Sequence, residues 1–163
     1  MAGRKEARAR QCLAELTRLS NKLRVLDKEA IDFGTGEPLH AFEIHAIDAI
    51  GNQDGRTVTE LAEHFYVTKG AVSQVVGKLA RWGYVTKERN PENGKEVRLS
   101  LTRKGEIALA EHERFHRTMD AEILRELRDV PLATFETFHE LLGRVGAHLD
   151  RYLAIRRQKG EKT

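Results

Sequence analysis

The sequence predicts a mainly α (α+β) protein, in which long helices at both ends flank a helix-turn-helix with an attached β-hairpin. Apolar residues recur at three- and four-residue steps near both termini, which is the spacing of one buried helix face. Residues 57–105 instead have the pattern of a helix, a short turn, a second helix and two short strands joined by an Asn-Gly turn. These observations predict a winged helix-turn-helix between two long terminal helices.

Two helices are predicted in the first third of the chain. The first covers about residues 5–32, and its leucines lie at helical spacing: Leu13, Leu16, Leu19, Leu23 and Leu26. The segment 32–39 breaks this helix, because two glycines and a proline crowd together there. A second helix is expected over roughly His40–Ile50.

Two further long helices are predicted after the hairpin. Thr102 has a hydroxyl suited to cap a helix that reaches about Leu127. Pro131 ends this region, since proline does not continue a helix, and a last helix is expected from Leu132 to about Ile155.

The helix-turn-helix contains two helices, each with a threonine at its start. Thr59 is expected to cap the first helix and Thr68 the second. Apolar residues of the second helix recur at helical spacing and predict its buried stripe: Val72, Val75, Val76 and Leu79. The opposite face is therefore exposed, and its residues indicate what the helix contacts.

That outer face is small and polar in the middle and basic at its ends. Ser73 and Gln74 have hydrogen-bond donors and acceptors suited to base edges in a DNA major groove. A glycine inside a helix costs about 1 kcal/mol relative to alanine, so Gly70 and Gly77 indicate that another surface comes close. Candidate phosphate contacts are Lys69, Lys78 and Arg81, with Thr68 at the helix start. An ordinary solvated helix face is the alternative.

The hairpin and its surroundings carry positive charge, as do the two termini, whereas the stretches between them are acidic. Residues 68–104 contain nine lysines and arginines against three glutamates, whereas residues 11–67 and 105–150 each contain five basic and ten acidic residues. Such clustering is the footprint of a phosphate-binding surface, and it predicts double-stranded DNA as the partner. We expect four hairpin residues to reach the minor groove or the DNA backbone: Arg89, Asn93, Lys95 and Arg98.

Three segments of the chain resemble MarR-family winged helix-turn-helix regulators: GTGEPLHAFEIHAIDAIGN, VTKGAVSQVVGKL and RNPENGKEVRLSLTRKGE. The resemblance covers nearly the whole chain. It implies a homodimer with interlocking terminal helices, which reads a pseudo-palindromic operator through the Thr68–Arg81 helix and the wing. Two residues depart from the family pattern: Tyr66 replaces a common turn glycine, and Lys95 replaces the usual arginine of the wing tip.

One copy of the chain has too little surface to bury the apolar faces of its long terminal helices. We expect a single MarR-like domain over residues 1–163, in which residues 5–50 and 105–157 form a helical dimerisation region and residues 55–104 form the DNA-binding lobe. A homodimer would bury the apolar faces of the terminal helices. Packing against the chain's own second helix is the alternative.

Three histidines have the placement of a metal site. His112 and His116 lie four apart on the helix after the wing, so both can bind one ion. His45 lies in the apolar second helix, and Glu29 or Asp27 would complete a tetrahedral zinc site. The arrangement resembles the regulatory site of zinc-sensing MarR-type repressors. The alternative is that these histidines are ordinary hydrogen-bonded core or interface residues.

Two other kinds of effector stay open. A small apolar or phenolic ligand in the dimer cleft is one, although the sequence has no specific pattern for it. Oxidant sensing through Cys12 is the other, since Arg8 and Arg10 lie nearby, but this single cysteine has no evident resolving partner. One cysteine also excludes an internal disulfide.

Several classes of function are disfavoured. No apolar run is long enough to cross a bilayer and the N-terminus lacks the apolar core of a signal peptide, so we expect a cytoplasmic protein without membrane contact. We expect no enzyme, because there is no nucleophile–base pair, HExxH motif or phosphate-binding glycine loop. The sequence predicts a DNA-binding transcriptional repressor with effector-dependent affinity. A winged-helix protein-interaction module without DNA readout is the alternative.

Overall fold

The computed structural model of the protein describes residues 2–89 and 97–160. These residues form six helices and five short strands: α1 (Ala2–Leu26), β1 (Ile31–Asp32), β2 (Pro38–Leu39), α2 (Ala41–Gly51), β3 (Arg56–Thr57), α3 (Val58–His64), α4 (Lys69–Arg81), β4 (Val85–Arg89), β5 (Val97–Leu101), α5 (Arg103–Glu126) and α6 (Leu132–Gly160). The chain divides into two compact units, residues 1–117 and residues 118–163. The mainly α winged helix-turn-helix predicted from the sequence is confirmed.

Helix α1 ends at Leu26, earlier than predicted, and the chain then forms the antiparallel pair β1 and β2. Between these strands lies the β1–β2 loop, residues 33–37. One carboxylate oxygen of Asp32 accepts hydrogen bonds from the backbone N–H groups of Thr35 and Gly36, both at 3.0 Å. The backbone also adopts positive φ at Gly34, at 76°. A side-chain hydrogen bond of this kind gives the backbone an alternative to the helix.

Helix α2 supplies a large part of the apolar core of the first unit. Its buried face contains Ile44, Ile47 and Ile50, each at most 3% exposed. The helix follows the N-cap His40, whose N–H donates to the Glu43 carboxylate at 3.0 Å. The same core contains residues from α3, α4 and the wing: Leu61, Ala62, Val72, Val76, Leu79, Tyr84, Val85 and Leu99. The predicted range of this helix is correct to one residue.

The wing belongs to a three-stranded antiparallel sheet in the order β3-β5-β4. In the hairpin itself, Glu88 lies opposite Arg98. Strand β3 adds the pairing of Arg56 with Leu99. A two-residue strand shows no alternating pattern, which is why the sequence predicted only the hairpin.

The first helix of the helix-turn-helix begins at Val58 and its N-cap is Thr57, so the prediction of Thr59 as its cap was wrong. The Thr57 hydroxyl accepts the Glu60 N–H at 3.2 Å, and the Glu60 carboxylate accepts the Thr57 N–H at 2.7 Å. The backbone and side-chain hydrogen bonds from Thr57 lower the pKa of Glu60. The Thr-x-x-Glu spacing of a capping box starts at residue 57 and decides the boundary. Thr68 caps α4 as predicted, accepting the Ala71 N–H at 3.2 Å.

The turn between α3 and α4 contains a constrained residue. Tyr66 has a φ of 55°, and its side chain is 56% exposed. This left-handed backbone conformation costs a non-glycine residue on the order of 1 kcal/mol. The departure from glycine seen in the sequence therefore falls at a position where glycine would relieve strain.

Helices α1 and α6 expose apolar side chains along much of their length. On α1 these are Leu13, Leu19, Leu23, Val25 and Leu26, and on α6 they include Leu132, Phe138, Leu141, Leu149, Tyr152 and Ile155. Within the ranges that the structure describes, no helix is both long enough and apolar enough to cross a bilayer.

Candidate nucleic-acid interface and metal centre

Helix α4 has one face buried in the core and the opposite face exposed to solvent. Val72, Val76 and Leu79 are at most 1% exposed on the inner face. Ser73 and Gln74 are exposed, as predicted. The helix also has exposed basic residues at its two ends: Lys69 and Arg81. Hydrogen-bonding side chains therefore lie in the middle of the exposed face and charges at its ends, which is the arrangement of a DNA-reading helix.

The two glycines of α4 are not required by internal packing among the described residues. A Cβ at Gly77 would meet no atom within 4 Å, and one at Gly70 would meet only the Thr68 hydroxyl oxygen, at 3.9 Å. Close approach of another surface is a physical reason to keep these positions without side chains.

Replacing Gly77 with alanine is expected to raise the free energy of unfolding by about 1 kcal/mol, because the added methyl group meets no atom and alanine favours the helix. We expect the same variant to bind DNA more weakly. Urea denaturation and a DNA-binding titration measure the two effects. A stabilised variant with unchanged DNA affinity would remove Gly77 from the interface.

Lys78 lies in a different setting from the one predicted. Its ammonium forms an ion pair with Glu43 of α2 and lies 4.2 Å from the centre of the Trp82 ring. The Glu43 side chain is only 7% exposed, and a buried carboxylate is strongly destabilising without a partner. Lys78 is thus engaged inside the first unit, so we remove it from the residues expected to contact phosphate.

The strands of the wing carry two of the predicted contacts. Arg89 is the last residue of β4 and Arg98 lies in β5, and both side chains are exposed. Both are therefore accessible to a groove or to phosphate. Asn93 and Lys95, predicted at the wing tip, lie outside the described residues.

Three histidines from two helices converge into a group that we call the histidine cluster: His45 from α2, with His112 and His116 from α5. One ring nitrogen of each lies within 4.8 Å of the others. The Nε2 atoms of His112 and His116 are 3.0 Å apart, and the ring centres of His45 and His112 are 5.5 Å apart. The structure brings together the three histidines that the sequence singled out.

The histidine cluster fits a metal ion of the zinc type. Zinc binds imidazole nitrogen at about 2.0 to 2.1 Å in a tetrahedral arrangement, which separates ligand atoms by about 3.3 Å. Small side-chain movements would bring the three nitrogens to that spacing. Three imidazoles also suit zinc better than magnesium or calcium, which prefer oxygen ligands.

His112 is the buried member of the cluster. Its side chain is 5% exposed, and its Nδ1 atom has no hydrogen-bond partner among the described residues. Burial lowers the pKa of the His112 imidazole, and the neighbouring His116 and His45 lower it further. The lowered pKa favours the neutral ring, which is the form that binds metal.

The fourth ligand predicted from the sequence does not join the histidine cluster. Glu29 is not among the groups that gather there. It follows the end of α1, where its N–H donates to the Leu26 carbonyl at 3.1 Å and its side chain is exposed. Asp27 is likewise outside the group. The early end of α1 explains the difference, and three histidines leave a fourth position for water or another ligand.

Two residues beside these sites were not singled out in the sequence. Phe33 packs against His112 with ring centres 5.4 Å apart, and no local pattern marks it. Glu43 binds Lys78. The spacing from His40 to Glu43 is that of a capping box and would have located Glu43 at the start of α2, although not its partner.

Comparisons with known proteins find a MarR-family match in the middle of the chain. Residues 38–96 match the model of the MarR family. The chain is 31% identical over 106 residues to the uncharacterized HTH-type transcriptional regulator YhjH of Bacillus subtilis strain 168, covering 65% of this chain and 59% of YhjH. The HTH-type transcriptional regulator PchR of the same organism is 31% identical over 91 residues, covering 55% of this chain and 54% of PchR. The matches thus span little more than half the length of these relatives.

A solved structure shares the fold. Streptococcus pneumoniae FabT, crystallised in complex with DNA, matches with a TM-score of 0.70 at 24% identity, covering 87% of this chain and 97% of that chain. MarR-family members are transcriptional regulators and not enzymes. The resemblance seen in the sequence is confirmed over the middle of the chain, where residues 38–96 match the MarR-family model.

Proposed function

We propose that this protein is a homodimeric, sequence-specific transcriptional repressor that binds double-stranded DNA through α4 and the wing. Its DNA affinity is set by a zinc-type metal ion at the histidine cluster. The observation that carries the proposal is the exposed face of α4, where Ser73 and Gln74 lie on a helix whose two glycines no internal contact requires. A helix that reads base edges needs such side chains and a backbone that can come close.

Charge and relatives support the DNA-binding part. Residues 68–104 concentrate positive charge, and neutralising phosphates supplies a large share of DNA affinity. YhjH and PchR are HTH-type transcriptional regulators, and FabT was solved in complex with DNA. A protein bound across a promoter represses by excluding the transcription machinery.

Replacing Gln74 with alanine is expected to weaken binding to the preferred operator by about 1 to 3 kcal/mol and to relax specificity at one base pair. Lys69→Ala should instead weaken binding to all sequences alike and lower the slope of log affinity against log salt by about one. The measurement is fluorescence anisotropy with duplexes selected from a random pool, at several salt concentrations.

Arg18→Ala is a matched control for charge. It removes one exposed, ion-paired cation of α1, outside the helix-turn-helix, and should leave base preference unchanged. A salt slope near zero for the unmodified protein would contradict the DNA-binding part and favour a protein-interaction module.

The homodimer is proposed from the exposed apolar side chains of α1 and α6. A second copy is the partner that would cover them, with residues 5–50 and 105–157 as the dimerisation region and residues 55–104 as the DNA-binding lobe. A two-fold dimer would present two α4 helices to successive half-sites. Sedimentation equilibrium tests this directly, and a monomer at micromolar concentration would contradict it.

The metal part rests on the histidine cluster. His45, His112 and His116 would hold the ion, which would supply a positive charge and a cross-link between α2 and α5. DNA affinity of the metal-stripped protein, measured with and without added zinc, tests this part. An unchanged affinity would remove the metal effector and leave the DNA-binding part standing.

A further inference from the structure

The β1–β2 loop begins at the histidine cluster. Its first residue, Phe33, is 5% exposed and packs edge-on against His112, with ring centres 5.4 Å apart and ring planes at 85°. Phe33 also packs against Phe115, with ring centres 6.3 Å apart. Because protein interiors are close-packed, a shift of the His112 ring displaces Phe33.

The middle of the loop binds the base of the wing. The hydroxyl groups of Thr35 and Tyr84 share a hydrogen bond of 2.6 Å. Tyr84 is fully buried and directly precedes β4. Its carbonyl accepts the Thr102 N–H at 3.0 Å, which ties the same point to the start of α5.

The end of the loop reaches the C-terminal end of α4. The Glu37 carboxylate pairs with the Lys104 ammonium, which also donates to the Trp82 carbonyl at 3.0 Å. Trp82 is the C-cap residue of α4. The same ammonium lies 4.4 Å from the centre of the Tyr84 ring. A cation at a helix C-terminus stabilises the free carbonyl groups there, and Glu37 holds this cation in place.

The loop has little freedom to absorb a displacement. The Asp32 carboxylate holds the N–H groups of Thr35 and Gly36. A Cβ at Gly34 would lie 3.2 Å from Cγ of Glu111 on α5, so the backbone passes close to that helix. A five-residue segment held at its start, middle and end moves largely as one piece.

We propose that Thr35 and Glu37 are positioning residues for the DNA-reading surface. Through Tyr84 and Lys104 they hold the base of the wing and the end of α4 in a fixed relation to Phe33 and His112. Occupancy of the histidine cluster then changes DNA affinity through the β1–β2 loop. This inference rests on the proposed metal-dependent function.

The test uses Thr35→Val and Glu37→Gln in the full-length protein. Glu106→Gln is the matched control, because it removes one exposed carboxylate charge of α5 whose ion pair within the described residues is with Arg103, in the same helix. Zinc affinity is measured by competition with a chelating dye, and DNA affinity by anisotropy with and without zinc. Trp82 is the single tryptophan of the chain, so its emission reports directly on the end of α4.

We expect the unmodified protein and Glu106→Gln to change DNA affinity by on the order of 5-fold or more when zinc binds. Their Trp82 emission should change as well. Thr35→Val and Glu37→Gln should bind zinc as tightly as the unmodified protein, with the change in DNA affinity reduced to less than about 2-fold. Glu37→Asp should restore part of the response, because it keeps the charge that pairs with Lys104.

Two results would overturn the inference, and they are distinguishable. If Thr35→Val and Glu37→Gln keep the full zinc response, the β1–β2 loop does not transmit it, while the proposed function stands. If the unmodified protein binds no zinc, the metal part of the proposed function fails and the inference fails with it. Circular dichroism of each variant confirms that lost responses do not come from unfolding.

Discussion

Replacing His112 with alanine is expected to lower the zinc affinity of the protein by at least about 100-fold and to remove the effect of zinc on DNA binding. Loss of residues that merely support a metal ligand costs about 10- to 100-fold in affinity, and loss of a ligand itself should cost more. His112 is also the only buried member of the histidine cluster. Dye competition measures the first effect and DNA anisotropy with and without zinc the second.

His139→Ala is a suitable control for this experiment. His139 is an exposed histidine of α6 that is not part of the histidine cluster, so its loss should leave both measurements unchanged. Equal zinc affinity in His112→Ala and the unmodified protein would rule out the histidine cluster as the metal site. A small organic ligand or Cys12 oxidation would then be the effector to pursue.

Replacing Gly105 with alanine is expected to destabilise the fold by about 3 kcal/mol or more. A Cβ at this position would lie 2.3 Å from the Tyr84 carbonyl oxygen and 3.2 Å from Cδ2 of Leu101. The carbonyl belongs to the backbone at the base of the wing and cannot rotate away as a side chain would. Overpacking at such a site commonly costs about 1 to 3 kcal/mol, and a backbone clash lies at the upper end or beyond it.

Urea denaturation of Gly105→Ala and Gly77→Ala, measured side by side, tests this prediction. Both changes add one methyl group to a helix, and only the first meets backbone. We therefore expect the midpoints to move in opposite directions. A Gly105→Ala variant as stable as the unmodified protein would show that the start of α5 can shift away from the wing at little cost.

The DNA-reading helix could be predicted from the sequence because its signals are local. The Thr68 hydroxyl caps a helix by bonding three residues ahead, and the buried positions Val72, Val76 and Leu79 repeat at the helical period. The strands of the wing likewise follow from the residues on either side of the Asn93-Gly94 pair in the sequence. The error at Thr59 was also local, because the capping box that starts the helix joins Thr57 to Glu60, two residues before the predicted cap.

The histidine cluster was predictable in part. His112 and His116 lie one helical turn apart, and that spacing alone places them together. His45 comes from a helix more than sixty residues earlier, and it was singled out because it interrupts the otherwise apolar second helix. Glu29 was expected on a longer first helix. In the structure this helix ends at Leu26, before Glu29. The strand pair β1–β2 and the hydrogen bonds of the Asp32 carboxylate follow directly after the turn that ends it.

By itself, the sequence determined the helix and strand periods, the caps at Thr68 and Thr102, the exposed polar face of α4 and the concentration of positive charge around it. These depend on hydrogen bonds and side-chain spacing within a few residues. Only the tertiary structure decided that Lys78 pairs with Glu43 and that Phe33 packs on His112. Such contacts join residues far apart in the chain, and they form only when whole helices and loops pack together. Without that packing, a lysine would normally lie in solvent.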